Sequence, residues 1–183
     1  FDYIQFKDFR VEEDKILVGD LGMIAKEAVS SAFTNLNFEN ISIFEDDNNA
    51  GVIAGTATDC EFVFVTTKQS DVTVDGRCVG GLIGYSSNSR YAMCLISMTS
   101  AVYGDGSWGD ARVGGVVGES KQDKFCGCIN ASLVGGCADE ICGIAGSSTD
   151  SEFISCNNEY AVIFCDEAGN NSSKVYFRNL VNK

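Results

Sequence analysis

A four-residue unit recurs five times along the chain and constrains it more than any other feature: a glycine, two apolar residues, then glycine or alanine. The copies are Gly22-Met23-Ile24-Ala25, Gly51-Val52-Ile53-Ala54, Gly81-Leu82-Ile83-Gly84, Gly115-Val116-Val117-Gly118 and Gly143-Ile144-Ala145-Gly146. The intervals between their first glycines are nearly constant, and only the step from Gly81 to Gly115 is clearly longer. A period of about 30 residues marks a repeat architecture, in which each unit buries its apolar side only against its neighbours.

Aligning the copies on that glycine brings further columns into view. Thirteen residues on stand Phe64, Cys94, Cys128 and Cys156, and eleven residues on stand Phe62, Ala92, Cys126 and Ile154. Positions two apart on a strand share a face, so both columns are expected inside. Val52, Leu82, Val116 and Ile144 are likewise expected to form one stacked, buried set. The segment Asp71-Val72-Thr73-Val74-Asp75 alternates as a half-buried strand does. No window carries a sustained helical stripe. Each repeat reads as about three short strands separated by Gly, Asn, Asp and Ser turns. The expected fold is all-β: a right-handed parallel β-helix (β-solenoid) of about five coils, one repeat of about 30 residues per coil. Residues 1–20 would be the first coil or an N-terminal cap, 21–165 the repeats, and 166–183 a C-terminal strand or cap.

Composition narrows the chemistry. There is no histidine among the 183 residues, which removes Ser-His-Asp and Cys-His catalysis, histidine-ligated metal and imidazole switching. The formal charge is −13, from 13 basic and 26 acidic residues, a poor match to nucleic acid or an anionic membrane surface. No apolar run approaches the length of a membrane-spanning helix. A start at Phe1 without Met or a signal segment reads as a mature protein or a piece of a longer one.

The Gly-apolar-any-Gly unit resembles the GLUG-motif family, short repeats of bacterial and protist surface proteins. Gly81-Leu82-Ile83-Gly84 is the closest copy, and those ending in Ala25 and Ala54 depart at the last position. The resemblance covers residues 19 to about 165. It implies a parallel β-helix and an adhesin-like, extracellular or cell-surface setting, and it brings no catalytic residues with it. Gly22, Gly51, Gly81, Gly115 and Gly143 would be its structural repeat glycines.

Nine cysteines is an odd number, so they cannot all pair within the chain. Cys94, Cys128 and Cys156 fall one coil apart in one column, where parallel side chains sit too far apart at Cβ for an unstrained bridge. They are expected to be reduced and stacked. Cys137 and Cys142 flank a turn and could approach each other or Cys165, while Cys60 and Cys78 have no assigned partner. The longest interval holds extra residues around Trp108, the only tryptophan, together with Tyr103, Asp105 and Asp110. Aromatic rings beside carboxylates suit sugar binding by stacking and hydrogen bonds. The acidic runs Glu12-Glu13-Asp14 and Glu45-Asp46-Asp47 read as solvated surface rather than as an acid–base pair. Sequons for N-glycosylation stand at Asn40, Asn130, Asn170 and Asn171.

These readings lead to a non-enzymatic structural or adhesin-type module, possessing no cofactor or metal site and meeting other protein subunits or surface glycans. The alternatives are a carbohydrate-binding solenoid acting through the Trp108 loop and a β-helical polysaccharide-degrading enzyme.

Overall fold

The computed structural model describes residues 4–12, 19–46, 48–98, 100–105, 111–160, 162–165 and 171–172. Among them there is no helix, and the strands stack as a parallel β-solenoid of about five coils. Each coil has five short sides rather than the three strands the sequence suggested. Side one is Leu21–Gly22, Asn49–Gly51, Cys78–Gly80, Arg112–Gly114 and Glu140–Cys142 in successive coils. Side two is Ala25–Val29, Ala54–Thr58, Ile83–Ser87, Val117–Lys121 and Ala145–Thr149. Side three is Ala32–Thr34, Glu61–Val63, Arg90–Ala92, Lys124–Cys126 and Glu152–Ile154. In the first coil the long strand Asn37–Asp46 supplies sides four and five together. Later coils split it, as in Thr66–Lys68 and Asp71–Asp75. Gln5–Glu12 adds one parallel strand before it.

The corners explain why five sides replace three. Three of them carry a residue with left-handed backbone: Ser30, Asp59, Asn88, Gln122 and Asp150 between sides two and three; Asn35, Phe64, Met93, Gly127 and Ser155 between sides three and four; Asp8, Asn40 and Gln69 between sides four and five. Asn and Asp tolerate this conformation better than other residues with a Cβ. The corner amide still joins the ladder, as Asn35 N donates to Val63 O at 2.9 Å and Met93 N to Cys126 O at 2.9 Å.

At Asp59, Asn88, Gln122, Asn40 and Gln69 the residue after the corner is buried, and its N–H is not given to a backbone carbonyl. A side chain from the next coil accepts it: Cys60 N donates to Ser89 Oγ at 3.0 Å, Ser89 N to Asp123 Oδ1 at 2.7 Å, and Asp123 N to Ser151 Oγ at 3.1 Å. Ser70 and Ser100 do the same at the third corner, where Ser70 N meets Ser100 Oγ at 3.1 Å. The same hydroxyls donate back to the carbonyl two residues earlier, Ser89 Oγ to Ser87 O at 3.0 Å and Ser70 Oγ to Lys68 O at 3.0 Å. Buried backbone donors need partners, and this column of small polar residues supplies them.

The register corrects two details of the sequence alignment. Cys78 pairs with Asn49 and Val79 with Ala50, so Gly80, not Gly81, lies opposite Gly51. The step from the second coil to the third therefore equals the step from the first to the second, since Ile83 pairs with Ala54 just as Ala54 pairs with Ala25. The column partner of Cys94 is then Val65, which is buried, and Phe64 points outward at 55% exposure. Ala92 is half-buried, and Cys126 and Ile154 are exposed. The inward residue of side three is one earlier, and it is aromatic in every coil: Phe33, Phe62, Tyr91, Phe125 and Phe153. Their rings stack with centroids 4.6–5.1 Å apart and planes within 11°. The left-handed residue inserted before Cys94 shifts the next inward position from two residues on to three. Val52, Leu82, Val116 and Ile144 are all buried, but they are not one column: the same register shift puts Ile53, not Val52, in line with Leu82, Val116 and Ile144.

In the three middle coils two glycines close the corner between sides one and two: Gly51 and Gly55, Gly80 and Gly84, Gly114 and Gly118. A Cβ on Gly80 would stand 2.0 Å from Ile83 O, and one on Gly84 would stand 2.5 Å from Ala50 N and 2.7 Å from Cys78 O. The glycine between them in later coils serves the interior instead. A Cβ on Gly115 would meet Asn130 Cγ at 2.4 Å, and one on Gly143 would meet Asn158 Cγ at 2.1 Å. Gly84→Ala is expected to lose about 3 kcal/mol or more in a denaturant titration, at or beyond the upper end of ordinary overpacking. A loss below about 1 kcal/mol would mean that this corner yields easily.

Candidate functional site

The extra residues of the third coil are placed by the register around the proposed sugar-binding loop. Val74 pairs with Gly104 and Cys78 with Arg112, so the chain takes four steps from Val74 to Cys78 but eight between their partners. Four residues are therefore inserted in the later coil, which is the loop the sequence indicated. Trp108 and Asp110 lie outside the described residues, and Asp105 is described only as the end of the strand Ala101–Asp105. Tyr103 is half-buried on that strand, between Thr73 and Gly135 of the adjoining coils. Of the acidic runs, Glu12 and Asp46 end strands, and the side chains of both runs lie outside the description.

A polar cluster that sequence reasoning missed sits where sides one and two meet. Cys78 Sγ donates to Glu119 Oε2 at 3.4 Å, and Arg112 reaches Glu119 at 3.2 Å and Glu140 at 3.4 Å. Thr56 Oγ1 donates to Asp20 Oδ2 at the equivalent place near the start. These residues are far apart in sequence, but the glycine corner folds one strand back against the next and brings their outer positions together. Burial first, and then the Glu119 carboxylate, push the Cys78 thiol up to about 12. A thiol held protonated in this way is no nucleophile. Among the described residues no group of three or more Cys, Asp or Glu side chains is placed to hold a metal ion.

Cys94, Cys128 and Cys156 are buried thiols in one column, as their spacing predicted. Their surroundings are less apolar than expected. Each follows a left-handed corner, as the serines do, and directs its S–H at a backbone carbonyl: Cys94 Sγ lies 3.6 Å from Phe62 O and Cys128 Sγ 3.6 Å from Tyr91 O, both of the preceding coil, and Cys156 Sγ lies 3.5 Å from Ile154 O two residues earlier. The Cys156 thiol is raised by its hydrogen bond with Cys128 and by burial. At Cys128 the bond with Cys156 acts downward, but the bond with Cys94 and burial outweigh it. Cys60 and Cys78 are buried thiols too, and Cys126 is an exposed one. The side chain of Cys165 lies outside the description.

The sequons fare differently. Asn40 is exposed at a corner, with its amide donating to Asp8 Oδ1 at 2.7 Å. Asn130 is wholly buried, its amide donating to Asn158 Oδ1 at 2.8 Å while its own oxygen accepts from the Ser132 hydroxyl at 2.6 Å. The folded chain therefore offers no access to Asn130, because the triplet serves an interior asparagine ladder. The side chains of Asn170 and Asn171 lie outside the description.

The most unusual buried group is Asp123, which occupies the position held by Ser31, Ser89 and Ser151 in other coils. It is 1% exposed and accepts from Ser89 N at 2.7 Å and Ser120 Oγ at 2.8 Å, while Tyr91 donates to the adjoining Ser86 at 2.7 Å. Burial raises its carboxyl above the ordinary value, and the accepted hydrogen bonds offset only part of this. No family model, curated protein or solved structure matches this chain.

Two outcomes are expected. A carboxyl raised on folding contributes stability that is fully present below its unfolded value near 3.8 and is lost as the pH rises through the folded value. Asp123→Ser should therefore gain stability relative to the parent chain as the pH is raised from about 4 to about 7, measured as urea midpoints. A stability difference that is flat over this range would contradict the assignment. In the second experiment, native protein treated with iodoacetamide should be alkylated at Cys126 well before Cys94, Cys128 or Cys156, as read by peptide mass spectrometry. A disulfide joining any two of those three would overturn the stacked-thiol arrangement.

Proposed function

We propose that the chain is a non-enzymatic structural module of a surface or extracellular protein, an adhesin-type spacer built from GLUG-like repeats. The observation that carries this reading is how the buried polar groups of the repeated columns are used. The corner serines, Asp123, the thiols and the asparagine ladder all bond one coil to the next. Such chemistry stiffens a rod. The exposed sequon at Asn40 suits a secretory route, and Gly81-Leu82-Ile83-Gly84 supports the family likeness.

A second reading is carbohydrate binding, favoured by the half-buried Tyr103 on the strand that leads into the Trp108 loop. A glycan array probed with the parent chain and with Trp108→Ala separates the two. The spacer reading expects no retained glycan with either protein. Binding by the parent chain that is lost in Trp108→Ala would replace it with the carbohydrate reading, and turnover of a polysaccharide would overturn both.

A further inference from the structure

The outer edge where side three turns into side four is apolar along most of its length. Phe64 is 55% exposed, Met93 52%, Ile154 46% and Leu95 37%, and the exposed Cys126 and half-buried Ile129 lie between them. The fold does not ask for apolar residues here. Phe64 and Met93 stand at the left-handed corner, with φ of 53° at each, where other coils carry Asn35, Gly127 and Ser155. A bulky apolar residue in this conformation is strained, and its side chain is left in water. A contiguous exposed apolar stripe of this kind marks a contact surface.

Charge indicates what covers it. The chain carries −13 overall, which opposes contact between copies. Along this edge the signs are mixed. Its flanking row of outward residues reads Glu61, Arg90, Lys124 and Glu152, two of each sign, and Lys124 and Glu152 are 3.8 Å apart. A row with both signs is complementary to itself: two antiparallel copies sharing a two-fold axis at the third coil place Glu61 of each opposite Lys124 of the other. The two Arg90 side chains then meet at the axis, with a Glu61 carboxylate in the row beside each. The same arrangement sets Phe64 and Met93 of one copy on Cys126 and Met93 of the second. The carboxylates in the row and the acidic chain disfavour an anionic lipid surface.

We propose that this edge is a self-association surface, on which a second copy of the chain docks antiparallel, stripe against stripe. The inference goes beyond the spacer reading and stands or falls separately, since the glycan measurement can be made on monomer or dimer alike.

Sedimentation velocity of the full chain from about 1 μM to about 1 mM, the range of weak to moderate affinities, tests it. The parent chain should pass from monomer to dimer. The double variant Phe64→Asn, Met93→Asn should raise the dissociation constant at least about tenfold. Asparagine suits the corner, as Asn35 does, so its melting temperature should be unchanged or higher, which separates lost docking from lost folding. Glu61→Lys alone should weaken the dimer, and Glu61→Lys with Lys124→Glu should restore it. A parent chain that stays monomeric throughout, or a double variant that dimerises as well as its parent, would overturn the proposal. So would a monomeric chain that binds neutral phosphatidylcholine vesicles through Phe64 and Met93.

Discussion

Every coil hands its backbone hydrogen bonds to the next, and this is possible only if all coils follow one path in space. The corners are where such a path is hardest to keep, because a left-handed residue turns the chain and leaves the following amide pointing inward without a carbonyl. At the corner between sides two and three, and at Asn40 and Gln69, the following residue of the next coil accepts that amide through its side chain, and where it is serine its hydroxyl also bonds the carbonyl two residues before it. The corner is thus closed by two bonds from a single small side chain. Serine is sufficient, aspartate can accept more bonds but is penalised for its buried charge, and cysteine fills the place with a weaker donor.

The interior follows from that frame. With the backbone path repeating, the inward residue of side three recurs at about one strand spacing, and planar rings fit there face to face. Tyr91 is tolerated in the middle of the stack because Ser86 accepts its hydroxyl hydrogen. Across the same interior, the asparagines of the fourth and fifth coils occupy space that Gly115 and Gly143 leave open. Polar groups inside a rod are acceptable when each finds its partner one coil away, and Asn130 and Asn158 do so.

The outside is freer. Outward positions carry charge, hydroxyls or apolar groups from coil to coil without changing the backbone ladder. The Cys78–Glu119–Arg112–Glu140 cluster and the apolar edge are both products of this freedom.

The sequence alone determined the class of fold, the number of coils and the place of the inserted loop, because a rod made of equal coils must repeat its chemistry at equal intervals. It also identified Cys94, Cys128 and Cys156 as one column, and Val52, Leu82, Val116 and Ile144 as core, since these depend only on spacing. It could not give the register around Gly51: Gly80 and Gly81 are adjacent and chemically identical, and only the pairing of Val79 with Ala50 distinguishes the backbone corner from the interior gap. It could not place Phe64, Ala92, Cys126 and Ile154, since alternation by two holds within a strand and fails across a left-handed corner. It misjudged Asn130 as well, because the Asn-Ala-Ser triplet has one spelling for a glycan acceptor and for a buried ladder. These points belong to the tertiary structure for a single reason. They depend on what lies one coil above or below, a full repeat away along the chain, and a local pattern does not specify which of two neighbouring residues makes that contact.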